Sequence, residues 1–134
     1  SLLDAGVPEI MLSNRTRVRA DRLKSVFGNR VRVYDWVQAG NMLDHAALVV
    51  NTTSLGMIGK PELRVPLDGL RPDTVVTDLV YAPLKTKLLE TAEEMGCVTV
   101  DGLGMLLHQA VPGFERWFGT RPEVDRAART AALL

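Results

Sequence analysis

Short apolar runs alternate with amphipathic stretches along the 134 residues of this chain. Residues 9–13 and 31–34 predict two short strands. Between them Val18, Leu23 and Val26 are spaced for one face of a helix over residues 16–27. Residues 46–51 and 74–79 read as apolar strands, the second entered just after Pro72, and continuous apolar strands imply a sheet covered on both faces. Residues 86–95 form an amphipathic pattern closed by Gly96. A fifth strand follows at 97–100, then a helix over 103–118 interrupted by Pro112, and a last helix over about 122–133. Strands and helices in strict alternation, joined by short connections, predict an α/β fold with a doubly wound, mostly parallel Rossmann-like sheet flanked by helices.

Composition sets limits on this picture. The length suits one domain, and a hydrophobic share of 46% fits an ordinary globular protein. Sixteen basic and sixteen acidic side chains cancel, with no run of five or more Lys or Arg, so nucleic acid is not an expected partner. The apolar runs are too short to span a membrane and no signal segment opens the chain, which gives an expectation of a cytoplasmic protein without a membrane partner. The single cysteine, Cys97, excludes an internal disulfide, and with His45 and His108 it shows no metal-ligand spacing, so no metal is expected. The opening Ser1-Leu2-Leu3-Asp4-Ala5-Gly6 reads as the last turn of a helix with a glycine cap, and an upstream segment is expected.

In such folds ligands collect where strands end. After the first strand stand Asn14, Arg15, Thr16 and Arg19, at the place where a site for NAD usually puts an acid against the ribose hydroxyls. Guanidinium groups at the start of a helix suit a 2′-phosphate instead, which favours NADP; caps and solvated arginines are the plain alternative. Thr52, Thr53 and Ser54 follow the third strand with Gly56 close behind, letting a ribose or pyrophosphate approach, or forming an ordinary polar turn. Tyr81 follows the fourth strand, with Thr86 placed to cap the next helix. Gly102 and Gly104 sit at the last strand-to-helix junction, where backbone can lie against a planar ring or simply pack tightly. Gln109 follows in the helix with an amide able to bind a hydroxyl, Met105 has core filling as its alternative reading, and His108 has no evident partner for base catalysis.

Four ordered segments, NRTxxRA at 14–20, NTTSLGM at 51–57, DLVYxPxxTxLL at 78–89 and DGLGMLxxQA at 101–110, together closely resemble shikimate dehydrogenases over nearly the whole chain. The resemblance implies NADP as cofactor and reduction of 3-dehydroshikimate to shikimate in the chorismate and aromatic amino-acid pathway. It implies that Asn14, Arg15, Thr16 and Arg19 hold the adenosine 2′-phosphate end, with Arg15 stacked on adenine. Thr52, Thr53 and Ser54 would line the cofactor path, Leu79, Gly102 and Met105 would meet the nicotinamide end, and Tyr81 and Gln109 would touch the substrate hydroxyls. The resemblance also implies a first strand, a glycine-rich phosphate loop and a substrate domain with a catalytic lysine and aspartate. None of these lies within the 134 residues, and Lys85 and Asp101 do not replace them. The expectation is therefore a partial Rossmann domain over 1–134, truncated at its amino end, with no catalytic residue of its own and inactive alone. It would be left with two half-sheets, unstable or swapped in isolation, with its helices over 103–134 packing toward a substrate domain. A quinate/shikimate dehydrogenase using NAD, or a non-catalytic nucleotide-binding module, are the alternatives, and monomer and homodimer are both open.

Overall fold

In the computed structural model, which describes residues 2–133, the chain forms two compact units, one made of residues 1–46 with 65–70 and the other of 47–64 with 71–134. Every strand pairing is parallel, and the strands lie in two sheets, β1-β2 in the first unit and β3-β4-β5 in the second.

In the first unit β1 (Ile10–Ser13) pairs with β2 (Val31–Tyr34), with Ser13 level with Tyr34. Helix α1 (Arg17–Phe27) connects them. Its buried line runs through Ala20, 1% exposed, and the face expected from Val18, Leu23 and Val26 is instead open to solvent. Two strands about 4.8 Å apart make a surface narrower than a helix about 10 Å across, so only one line of α1 is covered, and a small residue on that line allows close approach. Between β2 and residue 46, where the sequence suggested no element, 3₁₀ turns over Trp36–His45 bury Ala39 and Leu43. The turn before β1 has the expected glycine cap: Val7 N–H donates to Leu2 O (3.1 Å) and Gly6 N–H to Leu3 O (3.2 Å), with Gly6 at φ 94°. Ser1, where that turn was expected to begin, lies outside the described residues.

In the second unit β4 (Val75–Asp78) lies between β3 (Leu48–Asn51) and β5 (Val98–Val100). Side chains on a strand alternate between faces, so Val76, Asp78 and Val80 point the same way and are buried, as is Thr74 ahead of them. Helix α2 (Lys87–Glu94) packs Leu88, Leu89 and Ala92 inward and lies against β4 and β5. Coverage of both faces, expected from the apolar strands, is not found: Leu48 and Val50 on β3 and Val98 and Val100 on β5 are exposed.

Two helix expectations are corrected. Helix α3 (Leu103–Phe118) runs unbroken through Pro112. A proline deprives only the carbonyl four residues earlier of its donor, and that residue, His108, is exposed, so water can replace the bond. Helix α4 spans only Arg126–Ala131, because Asp125 caps it by accepting from Ala128 N–H at 2.8 Å and thereby sets its start; residues 122–125 stay outside the helix.

Leu89 is 2% exposed, whereas Leu23 is 46% exposed. Leu89→Ala is expected to cost about 2–5 kcal/mol in urea unfolding, and Leu23→Ala at most about 0.5 kcal/mol. Equal losses would contradict the packing of α2 described above.

Candidate functional site

At the end of β1 the backbone turns on Asn14, whose Oδ1 accepts from Thr16 N–H at 2.9 Å. Thr16 then caps α1 by backbone only, since its side chain makes no capping bond, and the first helical turn carries no acid. Three arginines cluster here. Arg17 is engaged: it hydrogen-bonds Asp35, the residue that follows β2, and its Nε lies 3.7 Å from Asp21. The bond and charge of Asp35 hold the Arg17 pKa above its ordinary value. Arg15 and Arg19 are exposed, and although Arg19 N–H donates to Thr16 O at 3.0 Å, their guanidinium groups form no hydrogen bond or ion pair with the described residues. The first unit thus presents two uncommitted guanidinium groups beside free helix N–H donors, an arrangement suited to a phosphate ester.

The ends of β3 and β4 are joined by a buried polar network that sequence reasoning did not single out. Asp78 is 1% exposed. Its Oδ1 accepts from Asn51 Nδ2 (3.0 Å) and Val80 N–H (2.9 Å), and its Oδ2 from the Thr86 hydroxyl (2.7 Å). Asn51 in turn donates to Leu55 O (3.1 Å) and accepts from Thr53 N–H (3.0 Å) and the Thr53 hydroxyl (2.8 Å). The Thr53 hydroxyl also accepts from Leu55 N–H at 3.1 Å, so it holds the loop after β3, while Thr52 and Ser54 remain exposed. Thr86, as expected, caps α2, its hydroxyl accepting from Leu89 N–H at 3.5 Å. The signal available in the sequence was an Asp closing an apolar strand eight residues before a capping Thr.

Gly102, after β5, is packed against the residues that leave β4. A Cβ there would stand 2.5 Å from Leu79 O and 2.7 Å from Val80 O, so no side chain fits. The structure therefore brings Gly102 and Leu79 together, two residues expected at one end of a ligand. Beside them Asp101 accepts from Leu103 N–H at 3.1 Å and pairs with Arg129 of α4. Met105 is half-buried in the first turn of α3. Tyr81, Gln109 and His108 are exposed. Lys85 pairs with Glu93, whose hydrogen bond and charge raise its pKa. Among the described residues no group of three His, Cys, Asp or Glu could hold a metal ion, and no helix is long and apolar enough to cross a membrane.

Asp78→Ala would strand three buried donors and is expected to cost about 3 kcal/mol or more, at about 1–3 kcal/mol for each unsatisfied group. Asp78→Asn should lose much less, because its oxygen can still accept from Asn51 and Val80 while its amide donates to Thr86. Chemical denaturation of both variants decides it; equal losses would show that the network is not held by these bonds.

Comparison with known proteins matches residues 102–131 to the family model described as the shikimate 5'-dehydrogenase C-terminal domain. Over 133 residues, 99% of the chain, it is 71% identical to a shikimate dehydrogenase (NADP(+)) of Roseobacter denitrificans and 64% identical to one of Paracoccus denitrificans. It covers 48% and 47% of those two proteins, and so spans about half the length of the curated relatives it matches. Among solved structures, a Corynebacterium glutamicum quinate dehydrogenase in complex with NAD superposes with a TM-score of 0.85 at 33% identity, covering 99% of this chain and 49% of that one. A Thermus thermophilus shikimate 5-dehydrogenase in complex with NADP(H) and shikimate gives 0.75 at 32%, covering 91% and 44%. With its parallel sheets flanked by helices and this identity along nearly its entire length, the chain is homologous to about half of an NADP(+)-type shikimate dehydrogenase.

Proposed function

We propose that this sequence is the nucleotide-binding part of an NADP-dependent shikimate dehydrogenase, which interconverts 3-dehydroshikimate and shikimate. The observation that carries the reading is the start of α1, where Arg15 and Arg19 are uncommitted and the first turn has no acid. A ribose diol would call for a carboxylate there, whereas a 2′-phosphate calls for guanidinium groups.

When bound, NADPH supplies the hydride that reduces the substrate ketone. This chain's residues grip and orient. Arg15 and Arg19 bind the 2′-phosphate, with Asn14 and Thr16 shaping the turn and the Arg15 plane free to stack on adenine. Thr52 and Ser54 offer hydroxyls along the cofactor, and Thr53 acts by holding their loop in shape. Leu79, Gly102 and Met105 serve the nicotinamide end. The Tyr81 phenol and the Gln109 amide, both exposed, are free to bind substrate hydroxyls. Proton transfer is assigned to no residue of this chain, because Lys85 and Asp101 are already paired.

A second reading is a dehydrogenase for quinate using NAD, favoured by the likeness to the quinate dehydrogenase that was solved with NAD. The arginines at α1 weigh against it.

The test is fluorescence titration of the full polypeptide its gene encodes with NADPH and NADH. Each arginine contributes charge-assisted bonds of about 1.5–3 kcal/mol, so Arg19→Ala should weaken NADPH binding by roughly tenfold or more and leave NADH unchanged, whereas Arg15→Ala, which also removes the stack on adenine, should weaken both cofactors with the larger loss for NADPH. Equal affinity for the two cofactors, unaffected by either substitution, would overturn the assignment, and faster turnover of quinate with NAD would establish the second reading.

A further inference from the structure

The three arginines near the start of α1 are not equivalent. The guanidinium groups of Arg15 and Arg19 have no partner among the described residues, whereas that of Arg17, the first residue of α1, is held by Asp35 and approached by Asp21. Asp35 is the first residue beyond β2, and Asn14 the first beyond β1. Because Ser13 is level with Tyr34, these two leave adjacent parallel strands side by side, with neighbouring strands about 4.8 Å apart. A carboxylate therefore stands at the rim of the place where Arg15 and Arg19 begin. Left bare, it would repel a 2′-phosphate, and it could accept from the two hydroxyls of an unphosphorylated ribose, the arrangement an NAD site uses.

We propose that Arg17 sets the preference for the phosphorylated dinucleotide by masking Asp35, not by gripping the phosphate. This rests on the assignment of the 2′-phosphate to the start of α1. The pair makes cofactor choice depend on charge balance at one residue that never touches the ligand: with Arg17 in place, Asp35 neither repels phosphate nor is available to ribose. Asp21, one helical turn along, stands 3.7 Å from Arg17 Nε and adds a second negative charge beside the guanidinium. Both side chains of the pair are about half exposed, at 50% and 52%, so either is replaceable without opening the core.

A double-mutant cycle separates masking from direct contact. NADPH and NADH affinities would be measured at low salt for the full polypeptide its gene encodes, as wild type, Arg17→Gln, Asp35→Asn and the double variant, with Arg19→Ala as control and circular dichroism to check folding. Masking predicts that Arg17→Gln lowers the NADPH-over-NADH preference by roughly tenfold. It also predicts that Asp35→Asn preserves or raises the preference, that the double variant returns to within about twofold of wild type, and that the Arg17→Gln defect shrinks as salt is added. A double variant as poor as Arg17→Gln would show that Arg17 holds the phosphate itself, and an unchanged Arg17→Gln would show that the pair is idle; either sinks the proposal. If Arg19→Ala still loses the preference in those cases, the phosphate assignment survives without the masking pair. A wild type with no preference removes both.

Discussion

The second unit depends on how one carboxylate is buried. Asp78 closes β4 on the same side as Val76 and Val80, so it goes inward with them, and there its oxygens must find donors within the protein. Three elements supply them: Asn51 at the end of β3, the Val80 amide just past β4, and the Thr86 hydroxyl at the cap of α2. A buried acceptor left without donors costs more than a satisfied one contributes, so the three are locked together rather than merely adjacent. The loop after β3, the exit from β4 and the start of α2 inherit their positions from that requirement.

This explains why exposed residues at the strand ends are usable. Thr52 and Ser54 are free because Asn51 and Thr53 spend their own hydrogen bonds on the loop. Tyr81 projects from a segment pinned at Val80 behind it and Thr86 ahead of it. Gly102 extends the same logic to the next junction: Leu79 and Val80 carbonyls lie where a Cβ would be, so β5 hands the chain to α3 in contact with the exit of β4. The first unit works differently. There the Asn14 turn and the parallel register of β1 and β2 place charges at the surface, and pairing, not burial, distinguishes one arginine from the next.

Ordered strand and helix signals were legible because each is local. The Val31–Tyr34 strand, the cap at Thr86 and the turn at Gly6 follow from patterns a few residues long, and the structure has them where the sequence places them. Faces were less legible. Val18, Leu23 and Val26 share a helical spacing, yet the two-stranded sheet is too narrow to cover them, and a helix pattern carries no information about the width of what it packs on. Pro112 was expected to interrupt α3 because the penalty of proline is local, but the lost bond falls on an exposed residue, and exposure is a property of the folded molecule.

The sequence alone determined the order of strands and α-helices, their parallel α/β character and the residues at the strand ends that make up the resemblance, since these rest on periodicity, caps and turn chemistry within short windows. Only the tertiary structure decided which polar residues hold the fold and which are free to bind. Arg15, Arg17 and Arg19 look alike in sequence, and Thr52, Thr53 and Ser54 nearly so. Arg17 is set apart by an aspartate eighteen residues away, and Asn51, which holds Thr53, is itself fixed by Asp78 twenty-seven residues on. Hydrogen-bond commitments of that range are made when strands pair, and no local pattern records them.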